Sequence, residues 1–520
     1  MLRTRVPFAA ALLAVSTLPL SLAAQQRRVA DHSKSTPVAG ASTTKASTYT
    51  IDQFMSPASP LELGAAKRVD RVAWVTYERG MRNIYTAAAP DFKATRITKF
   101  LEDDGIDVSS VRLSDDGTVA IFVRGSGQNR SGWVANPSHD PNGPDRSVWA
   151  AKTDGTGAWR LASIANEEPV TGFGGRGGAP ELSPDGKHVV WARDGQIYHA
   201  KVARGNTASI DTGGVPYIKE WGRQSNPVWS PDGSKFAFIS TRDNHALIGV
   251  YDMKTRTLNF MGPSVDFDAS PVWSSDSKRI AFIRRPGTPF GQQAQSGNGG
   301  IGNPAGPAAG RGRGRGNGGG GRGRGDEAPA GKIDGLYRAG FPGGYTIALM
   351  VADVATGKAH EFWHNAPNDR VFTNIQSIQW GGDHVVFSAQ RPNDEWDRYF
   401  SVNIDNPLAE PVLLTTTDGL INDSVADRTF VTTALSRDGK TFYYCTNATD
   451  IEKRHIWAVP TAGGTPVEIS KDDGVEVSPT PLSSGKSLAV LYFNAKQPAS
   501  IGVVPTAGGE TKVVYPTLPK

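Results

Sequence analysis

The chain has 520 residues, of which 38% are hydrophobic and 21% charged, and its 12 Trp and 20 Phe are enough for a large folded core. The net charge of +5 is unevenly placed, because a Gly- and Arg-rich segment, 287–332, carries +4 and the first five residues carry +2. The rest of the chain is therefore close to neutral, which argues against a nucleic-acid-binding body, since such a protein needs a basic face.

The N-terminal residues have the pattern of an export signal. Two arginines precede an apolar run, 6–22, and Ser21-Leu22-Ala23 offers the small residues that a signal peptidase recognises. The run is short for a membrane-spanning helix of about 20 residues. We predict a cleaved signal peptide over 1–23, a disordered polar lead over 24–48, and a periplasmic or secreted protein with no membrane span after cleavage.

A short phrase, Ser-Pro-Asp-Gly, recurs along the chain with an apolar run behind it. Two full copies begin at Ser183 and Ser230, and weaker copies begin at Ser114, Ser274 and Ser436. Pro and Asp suit the corners of a tight turn, and Gly accepts the positive φ that closes it, so each copy predicts a β-hairpin. The copies from Ser183 to Ser274 stand 47 and 44 residues apart, a period typical of propeller blades.

Eight such units can be counted when weaker hairpins are included. The phrase Val-Pro-Thr-Ala-Gly-Gly at 459–464 returns at 504–509, an offset of 45 residues. We therefore predict an all-β fold, a β-propeller of about eight four-stranded blades over residues 49–515. The blades are expected to start near Arg71, Val111, Glu181, Pro227, Pro271, Ser377, Thr432 and Pro479.

Residues 287–332 interrupt the fifth blade. They hold 18 of the chain's 59 Gly and an Arg-Gly repeat, which cannot bury apolar surface, so we predict a flexible, disordered insertion. Arg-Gly tracts also occur in RNA-binding tails, but a solvated linker suits an exported protein better. The Gly-x-Gly-x-x-Gly matches inside the tract lack the strand and helix of a dinucleotide site.

The sequence His360-Glu361-Phe362-Trp363-His364 matches the zinc-protease pattern H-E-x-x-H. That chemistry needs a helix, on which both imidazoles reach one metal. Here the motif follows a hairpin turn inside a blade, and on a strand two residues four apart are separated by about 13 Å. We predict no metal site and no cofactor.

The chain also lacks the Gly-x-Ser-x-Gly elbow that exposes the nucleophile of a serine hydrolase. The nearest match, 485–489, lies in a strand-like run, so we predict no catalytic residue. The single cysteine, Cys445, follows three aromatic residues and is expected to be a buried strand residue rather than a reactive thiol.

With the repeats placed, the chain resembles a known family. The blades are similar to TolB-type, WD-like repeats and, more closely, to the N-terminal propeller of the prolyl oligopeptidase family, particularly its dipeptidyl-peptidase IV branch. Residues 49–55 resemble the segment that leads into the first blade of those enzymes, and eight blades suit that branch. The resemblance covers about residues 49–515.

The resemblance implies a substrate-gating domain of a serine peptidase. In that family the propeller caps an α/β-hydrolase domain and filters peptides through its channel, while Ser, Asp and His of the hydrolase domain cut the bond. This sequence ends at Lys520, shortly after the eighth repeat, so none of those catalytic residues has a counterpart here. We expect that a C-terminal hydrolase domain is absent from this chain.

The resemblance also draws attention to an acidic pair, Glu167 and Glu168. A paired Glu in the dipeptidyl-peptidase propeller grips the free amino end of the substrate, and these two form the only Glu pair between blades, in a Gly-rich stretch, 166–178. They are the candidate substrate-binding residues. A solvated surface pair without a function is the simpler alternative.

The leading hypothesis is therefore an exported gating propeller that binds peptides or a protein partner and hydrolyses nothing by itself. The alternative is a free-standing, TolB-like envelope propeller that binds a protein partner. A third possibility, a propeller enzyme with a metal in its channel, finds no cluster of ligands in the sequence. None of the three involves nucleic acid.

Overall fold

The computed structural model describes residues 58–127, 134–141, 143–164, 179–193, 195–204, 217–287, 340–421 and 431–516. These residues belong to a compact unit, 51–520, and form antiparallel blades without any α-helix. The predicted all-β propeller of about eight blades is confirmed. Among the described residues there is no helix with the length and apolarity needed to cross a membrane. The predicted signal, the lead and nearly all of the Gly/Arg-rich insertion lie outside these residues.

Each blade is built from consecutive strands, and the first four blades occupy the N-terminal half. Blade 1 contains β1 (Ser59–Ala65), β2 (Arg71–Glu78), β3 (Met81–Ala88) and β4 (Thr95–Arg96). Blade 2 contains β5 (Val108–Leu113), β6 (Val119–Arg124), β7 (Ser147–Lys152) and β8 (Ala158–Ser163). Blade 3 contains β9 (Glu181–Leu182), β10 (His188–Arg193) and β11 (Gln196–Lys201). Blade 4 contains β12 (Arg223–Trp229), β13 (Lys235–Thr241), β14 (Ala246–Asp252) and β15 (Thr257–Phe260).

The other four blades repeat the order. Blade 5 contains β16 (Phe267–Trp273), β17 (Arg279–Arg285), β18 (Ala348–Asp353) and β19 (Ala359–His364). Blade 6 contains β20 (Ile378–Gly381), β21 (His384–Gln390), β22 (Asp397–Asn403) and β23 (Val412–Leu413). Blade 7 contains β24 (Thr433–Leu435), β25 (Thr441–Thr446), β26 (His455–Pro460) and β27 (Val467–Glu468). Blade 8 contains β28 (Val475–Pro481), β29 (Ser487–Phe493), β30 (Ser500–Pro505) and β31 (Lys512–Tyr515).

Two blades differ from the expectation. Blade 3 has three strands among the described residues, with Ile218 bridged to Ile197 of β11 where a fourth strand would pair. Blade 1 begins with β1 at Ser59, so the predicted start near Arg71 was wrong, because Arg71 begins the second strand. The turn between these strands has no Ser-x-Asp-Gly phrase, which left β1 without a sequence signal.

The Ser-x-Asp-Gly turns share one hydrogen-bond pattern. The Ser230 hydroxyl donates to Asp232 Oδ1 at 2.6 Å, and Asp232 Oδ1 also accepts the backbone N–H of Ser234 at 3.0 Å. These bonds hold the tight turn in which Gly233 takes a φ of +72°. The aspartates are therefore turn formers, as predicted. The same 2.6 Å serine-to-aspartate bond occurs in the turns that begin at Ser114, Ser183, Ser274 and Ser436.

A stacked aromatic pair joins the second and third strands of several blades. Trp74 lies opposite Tyr85 in blade 1, with ring centroids 6.0 Å apart and planes 20° apart. In blade 4 the partner position holds Gly249, because a Cβ there would lie 2.7 Å from Cζ of Phe238. Each buried ring stabilises the fold by about 1.5–3 kcal/mol. Pairs in the same register are Phe122 with Trp149, Trp191 with Tyr198, Phe387 with Phe400 and Tyr444 with Trp457.

The alternating strands give the ring two ends. We call the end that carries the connections between first and second strands, such as 230–234, the turn face. The opposite end carries the connections between second and third strands and those between consecutive blades, and we call it the loop face. The cysteine of β25, Cys445, is fully buried between blades, as predicted.

The ring closes by side-chain packing. Every pair of consecutive blades shares a buried apolar cluster, and the last cluster joins blade 8 to both blade 7 and blade 1. Tyr515 of β31 lies 5.3 Å from Trp74 and 5.0 Å from Tyr85 between ring centroids. On the turn face, the backbone N–H of Ser484 donates to Asp70 Oδ1 at 2.7 Å. No strand is exchanged between the first and last blades in the described residues.

Candidate functional site

The first strand of each blade is the innermost. Strand β1 lies against β5 and β28, β5 lies against β9, β16 lies against β20, and β24 lies against β28. The first strands therefore form the wall of a central channel, and any ligand in that channel would meet their side chains.

Five of these wall strands contain a β-bulge at the same position, four residues before the start of the following turn. The bulged residue takes a left-handed conformation, with φ between +47° and +60°, although none is a glycine. Such a conformation costs about 1 kcal/mol or more for each residue, and bulges commonly aim side chains at the rim of a barrel or near a site. All five are polar, so the wall carries a repeated polar position: Glu62, Ser110, Asn226, Ser270 and Ser478.

Several bulged residues tie neighbouring walls together. Glu62 Oε2 accepts the backbone N–H of Ser110 at 2.5 Å, which connects the bulges of blades 1 and 2. These bonds satisfy backbone groups that the bulges leave unpaired. Two weaker links of the same kind run from Ile378 N to Ser270 Oγ at 3.4 Å and from Val431 N to Ser478 Oγ at 3.3 Å.

A second polar position lies two residues before the bulge in several wall strands. Its side chain is buried and forms hydrogen bonds near the loop face. Gln224, 1% exposed, donates through Nε2 to the carbonyl oxygen of Trp221 at 3.1 Å. Asp268, also 1% exposed, accepts two hydrogen bonds from Arg284, at 2.7 and 2.9 Å. Arg284 in turn donates to the carbonyl of Gly262 at 2.5 Å. These buried contacts fix the segments that lead into the wall strands.

The equivalent position in blade 8 is Glu476, which forms a buried cluster with Ser470 and His455. Glu476 Oε2 accepts the Ser470 hydroxyl at 2.8 Å and contacts His455 Nδ1 at 2.8 Å. The hydrogen bond with Glu476 raises the pKa of His455. Because the hydroxyl donates to the carboxylate and not to an imidazole, this arrangement does not activate Ser470 as a nucleophile.

The H-E-x-x-H sequence lies on strand β19, in a conformation unlike the helix of a zinc protease. Glu361 contacts His364 Nδ1 at 2.6 Å and accepts the Tyr345 hydroxyl at 3.0 Å, and the His364 and Tyr345 rings stack 4.1 Å apart. Within the described ranges there is no group of three or more His, Cys, Asp or Glu side chains that could hold a metal ion.

A cavity of about 210 Å³ opens on the loop face of blade 2, beside the connection between β6 and β7. Its lining includes Arg124, Ser126 and Asp145. Arg124 forms an ion pair with Asp104, and Asp145 pairs with Arg160 at 2.9 Å. Because Arg124 and Asp145 are paired within the protein, neither offers an uncompensated charge to a ligand in the cavity.

The predicted substrate-binding residues, Glu167 and Glu168, lie outside the described residues, so their role stays a prediction. The buried polar residues of the wall strands were not predicted from the sequence. A signal for them exists, since Gln224 and Asp268 each stand six residues before the serine of the next turn. Their importance becomes clear only when the turn is used to align the blades.

Comparison with known proteins gives structural matches only. No family model matches the chain, and no curated protein matches its sequence. The structure of dipeptidyl peptidase 4 from Porphyromonas gingivalis matches with a TM-score of 0.50 at 10% identity, covering 89% of this chain and 60% of that one. A putative dipeptidyl aminopeptidase IV from Bacteroides ovatus matches with a TM-score of 0.43 at 11% identity, covering 89% and 61%.

A third match is the β-propeller domain of the Trilobed protease from Pyrococcus furiosus, with a TM-score of 0.41 at 8% identity, covering 89% of this chain and all of that one. The present chain therefore spans about 60% of the length of the dipeptidyl peptidase structures it matches. The resemblance in fold to the propeller of that branch, predicted from the repeats, is confirmed.

Proposed function

We propose that this protein is an exported propeller that admits and binds peptides at its central channel, in the manner of the gating part of a dipeptidyl-peptidase-like enzyme. One observation carries the proposal. In five blades the first strand contains a β-bulge with a polar residue in the left-handed conformation, although this conformation costs free energy in each blade. Three of these residues, Glu62, Ser270 and Ser478, also tie neighbouring wall strands together, which holds polar groups in fixed positions along the surface that a ligand in the channel would meet.

The contribution of the described residues is recognition, and the proposal assigns bond cleavage to none of them. The Ser470 cluster lacks an activated hydroxyl, as described above. Incubation of the purified chain with a proline-containing hexapeptide, followed by mass spectrometry, is expected to leave the peptide intact. Hydrolysis that survives replacement of Ser470 by Ala would show a nucleophile elsewhere and overturn this part of the proposal.

Binding can be tested on the wall itself. Isothermal titration of the same hexapeptide against the protein is compared with the variant Asn226→Asp, which places a charge on the wall of blade 4 while keeping the size of the side chain. One charge about 4 Å from a ligand group changes the affinity by about fivefold. The matched control is Asn406→Asp in the exposed connection between β22 and β23 of blade 6, which is expected to bind as the wild type does.

Equal affinities for the two variants would mean that the peptide does not enter the channel. If the wild type binds no peptide, the proposal is overturned, and the TolB-like alternative, a ring that binds a folded protein partner, takes its place. Export is a separate part of the proposal, supported by the pattern of residues 1–23. N-terminal sequencing of the protein recovered from the periplasm or the medium should begin near residue 24.

A further inference from the structure

The loop face of blade 4 holds an arginine between two aromatic rings. The guanidinium carbon of Arg242 lies 4.8 Å from the centroid of the Trp221 ring and 5.9 Å from that of Phe260. Trp221 comes from the segment before β12, Arg242 from the connection between β13 and β14, and Phe260 from the end of β15. Stacking of this kind fixes the plane of a guanidinium group and leaves its donor edge available.

Arg242 has no acidic partner within the part of the chain that the structure describes. Its Nε is buried and has no hydrogen-bond acceptor there. Arg279, which also stacks on a tryptophan, differs in this respect: it lies 5.2 Å from the Trp380 ring and bonds to Asp405 at 3.2 Å. Because no acidic side chain among the described residues pairs with its guanidinium, an incoming carboxylate could bind Arg242 without displacing an existing ion pair.

Hydrogen bonds hold the surrounding loop although Trp221 is 64% exposed. Two side-chain amides bind its backbone carbonyl groups: Gln224 Nε2 donates to Trp221 O at 3.1 Å, and Gln196 Nε2 donates to Gly222 O at 3.3 Å. Gly222 has a φ of +87°, and a Cβ at this position would lie 2.3 Å from the carbonyl oxygen of Thr241 and 2.9 Å from Arg242 Cδ. The loop can rest on the arginine stem only because position 222 is glycine.

An exposed tryptophan on a hydrogen-bonded loop, stacked on an arginine, is typical of a recognition surface, where Trp and Arg supply much of the binding free energy. Trp221 stands two residues before the wall strand of blade 4, on the side of the loop face that borders the channel, whereas Phe260 belongs to the outermost strand. The group that fits the free edge of a guanidinium is a carboxylate, which accepts two parallel hydrogen bonds.

We propose that Arg242, held between Trp221 and Phe260, binds a carboxylate of the peptide at the mouth of the channel, either its C-terminus or an acidic side chain. This inference rests on the proposed function and names the chemical group that the peptide must carry. Trp221 acts as a positioning residue, since its ring holds the guanidinium plane and its open face contacts the peptide.

The test is isothermal titration of the full chain with three forms of one hexapeptide of Ala, Gly and Pro. The first has a free carboxyl terminus, the second is amidated, and the third is amidated and carries one Asp. The variants are Arg242→Gln, Arg242→Lys and Trp221→Ala. The matched control is Arg279→Gln, which removes an arginine that also stacks on Trp but is already paired with a carboxylate.

We expect Arg242→Gln to weaken binding of a carboxylate-bearing form by about tenfold or more, the loss typical of a charge-assisted hydrogen bond. Binding of the neutral amide should not change. Arg242→Lys should restore only part of the affinity, because an ammonium group cannot form the paired bonds. Arg279→Gln should bind all three forms as the wild type does. A loss for the free terminus identifies the C-terminus as the bound group, and a loss for the Asp form identifies the side chain.

Two results would overturn the inference while leaving the proposed function standing: equal loss of all three forms in Arg242→Gln, or no loss of any. Failure of the wild type to bind every form would overturn the proposed function and this inference with it. Circular dichroism and thermal melting of each variant show whether a loss of binding reflects a loss of fold.

Discussion

Because the described residues close the ring without exchanging a strand, Trp74 is the residue to perturb first. Its side chain is fully buried and stacks on Tyr85 within blade 1, and it also contacts Tyr515 from blade 8 at 5.3 Å. Replacing a buried Trp with Ala typically costs 3–5 kcal/mol, so we expect Trp74→Ala to lower the free energy of unfolding by about this amount. Part of the loss should come from the contact across the seam between blades 8 and 1.

A double-mutant cycle isolates that part. Trp74→Ala, Tyr515→Ala and the double variant are unfolded in urea, with tryptophan fluorescence and circular dichroism recorded together so that coincident curves justify a two-state treatment. An aromatic contact of this kind should give a coupling free energy of about 0.5–1.5 kcal/mol. Trp191 is the control, because its stacked pair with Tyr198 has the same 6.0 Å spacing and, among the described residues, no third ring from another blade stacks on Trp191.

The cycle of Trp191→Ala with Tyr515→Ala should be additive within about 0.5 kcal/mol, because the two residues are on separate blades. A coupling of the same size in both cycles would refute the reasoning, since it would reflect a general loss of stability. A coupling near zero for Trp74 with Tyr515 would mean that the seam is held by other contacts.

Other predictions concern the blades themselves. Gly249→Ala should lower the melting temperature through overpacking of about 1–3 kcal/mol, because the new methyl group meets a phenylalanine ring. The hydrogen bond from Ser274 lowers the pKa of Asp276. The ionised Asp276 therefore stabilises the fold above the ordinary carboxyl pKa, and this stabilisation is lost as the pH falls through the lowered pKa. Asp276→Asn should reduce the pH dependence of the free energy of unfolding by less than about 1 kcal/mol, because the group is largely exposed. Burial, and after it the charge of His188, lowers the pKa of His199 to about 4. Because the unfolded chain takes up this proton at a higher pH, the free energy of unfolding should decline as the pH falls from about 6.5 toward 4. In urea titrations, His199→Phe should remove this decline.

Each of these has a contrary result. A Gly249→Ala variant with unchanged melting would show that the phenylalanine ring can move aside. A pH dependence of stability in Asp276→Asn equal to that of the wild type would assign the acid sensitivity to other carboxylates. If His199→Phe keeps the loss between pH 6.5 and 4, another histidine carries it.

Most of the fold follows from local chemistry that is visible in the sequence. The turn at Ser230 is determined by four neighbouring residues, so its hairpin and its spacing to the next copy could be predicted without tertiary information. Strand β1 could not, because its turn has no such phrase and the bulge at Glu62 breaks the alternation of the strand. The blade count of eight was still correct, since the second strand of the blade was recognised.

The candidate site was less accessible to sequence reasoning. The left-handed conformation of a polar residue such as Asn226 cannot be predicted from its residue type, because the geometry of the neighbouring strands imposes it. The contact of Arg242 with Trp221 joins two loops about 20 residues apart, and only the folded blade brings them together. The acidic pair at 167–168 was chosen by resemblance, and its placement stays a prediction.

The seam between blades 8 and 1 has a mechanical consequence. Between blades that follow one another along the chain, a separating force must also stretch a peptide connection. At the seam, the described residues oppose that force with side-chain packing and a few hydrogen bonds. If force is applied to residues 58 and 516, for example with optical tweezers, the contact between blades 8 and 1 should break first. The ring should therefore open before any single blade unfolds.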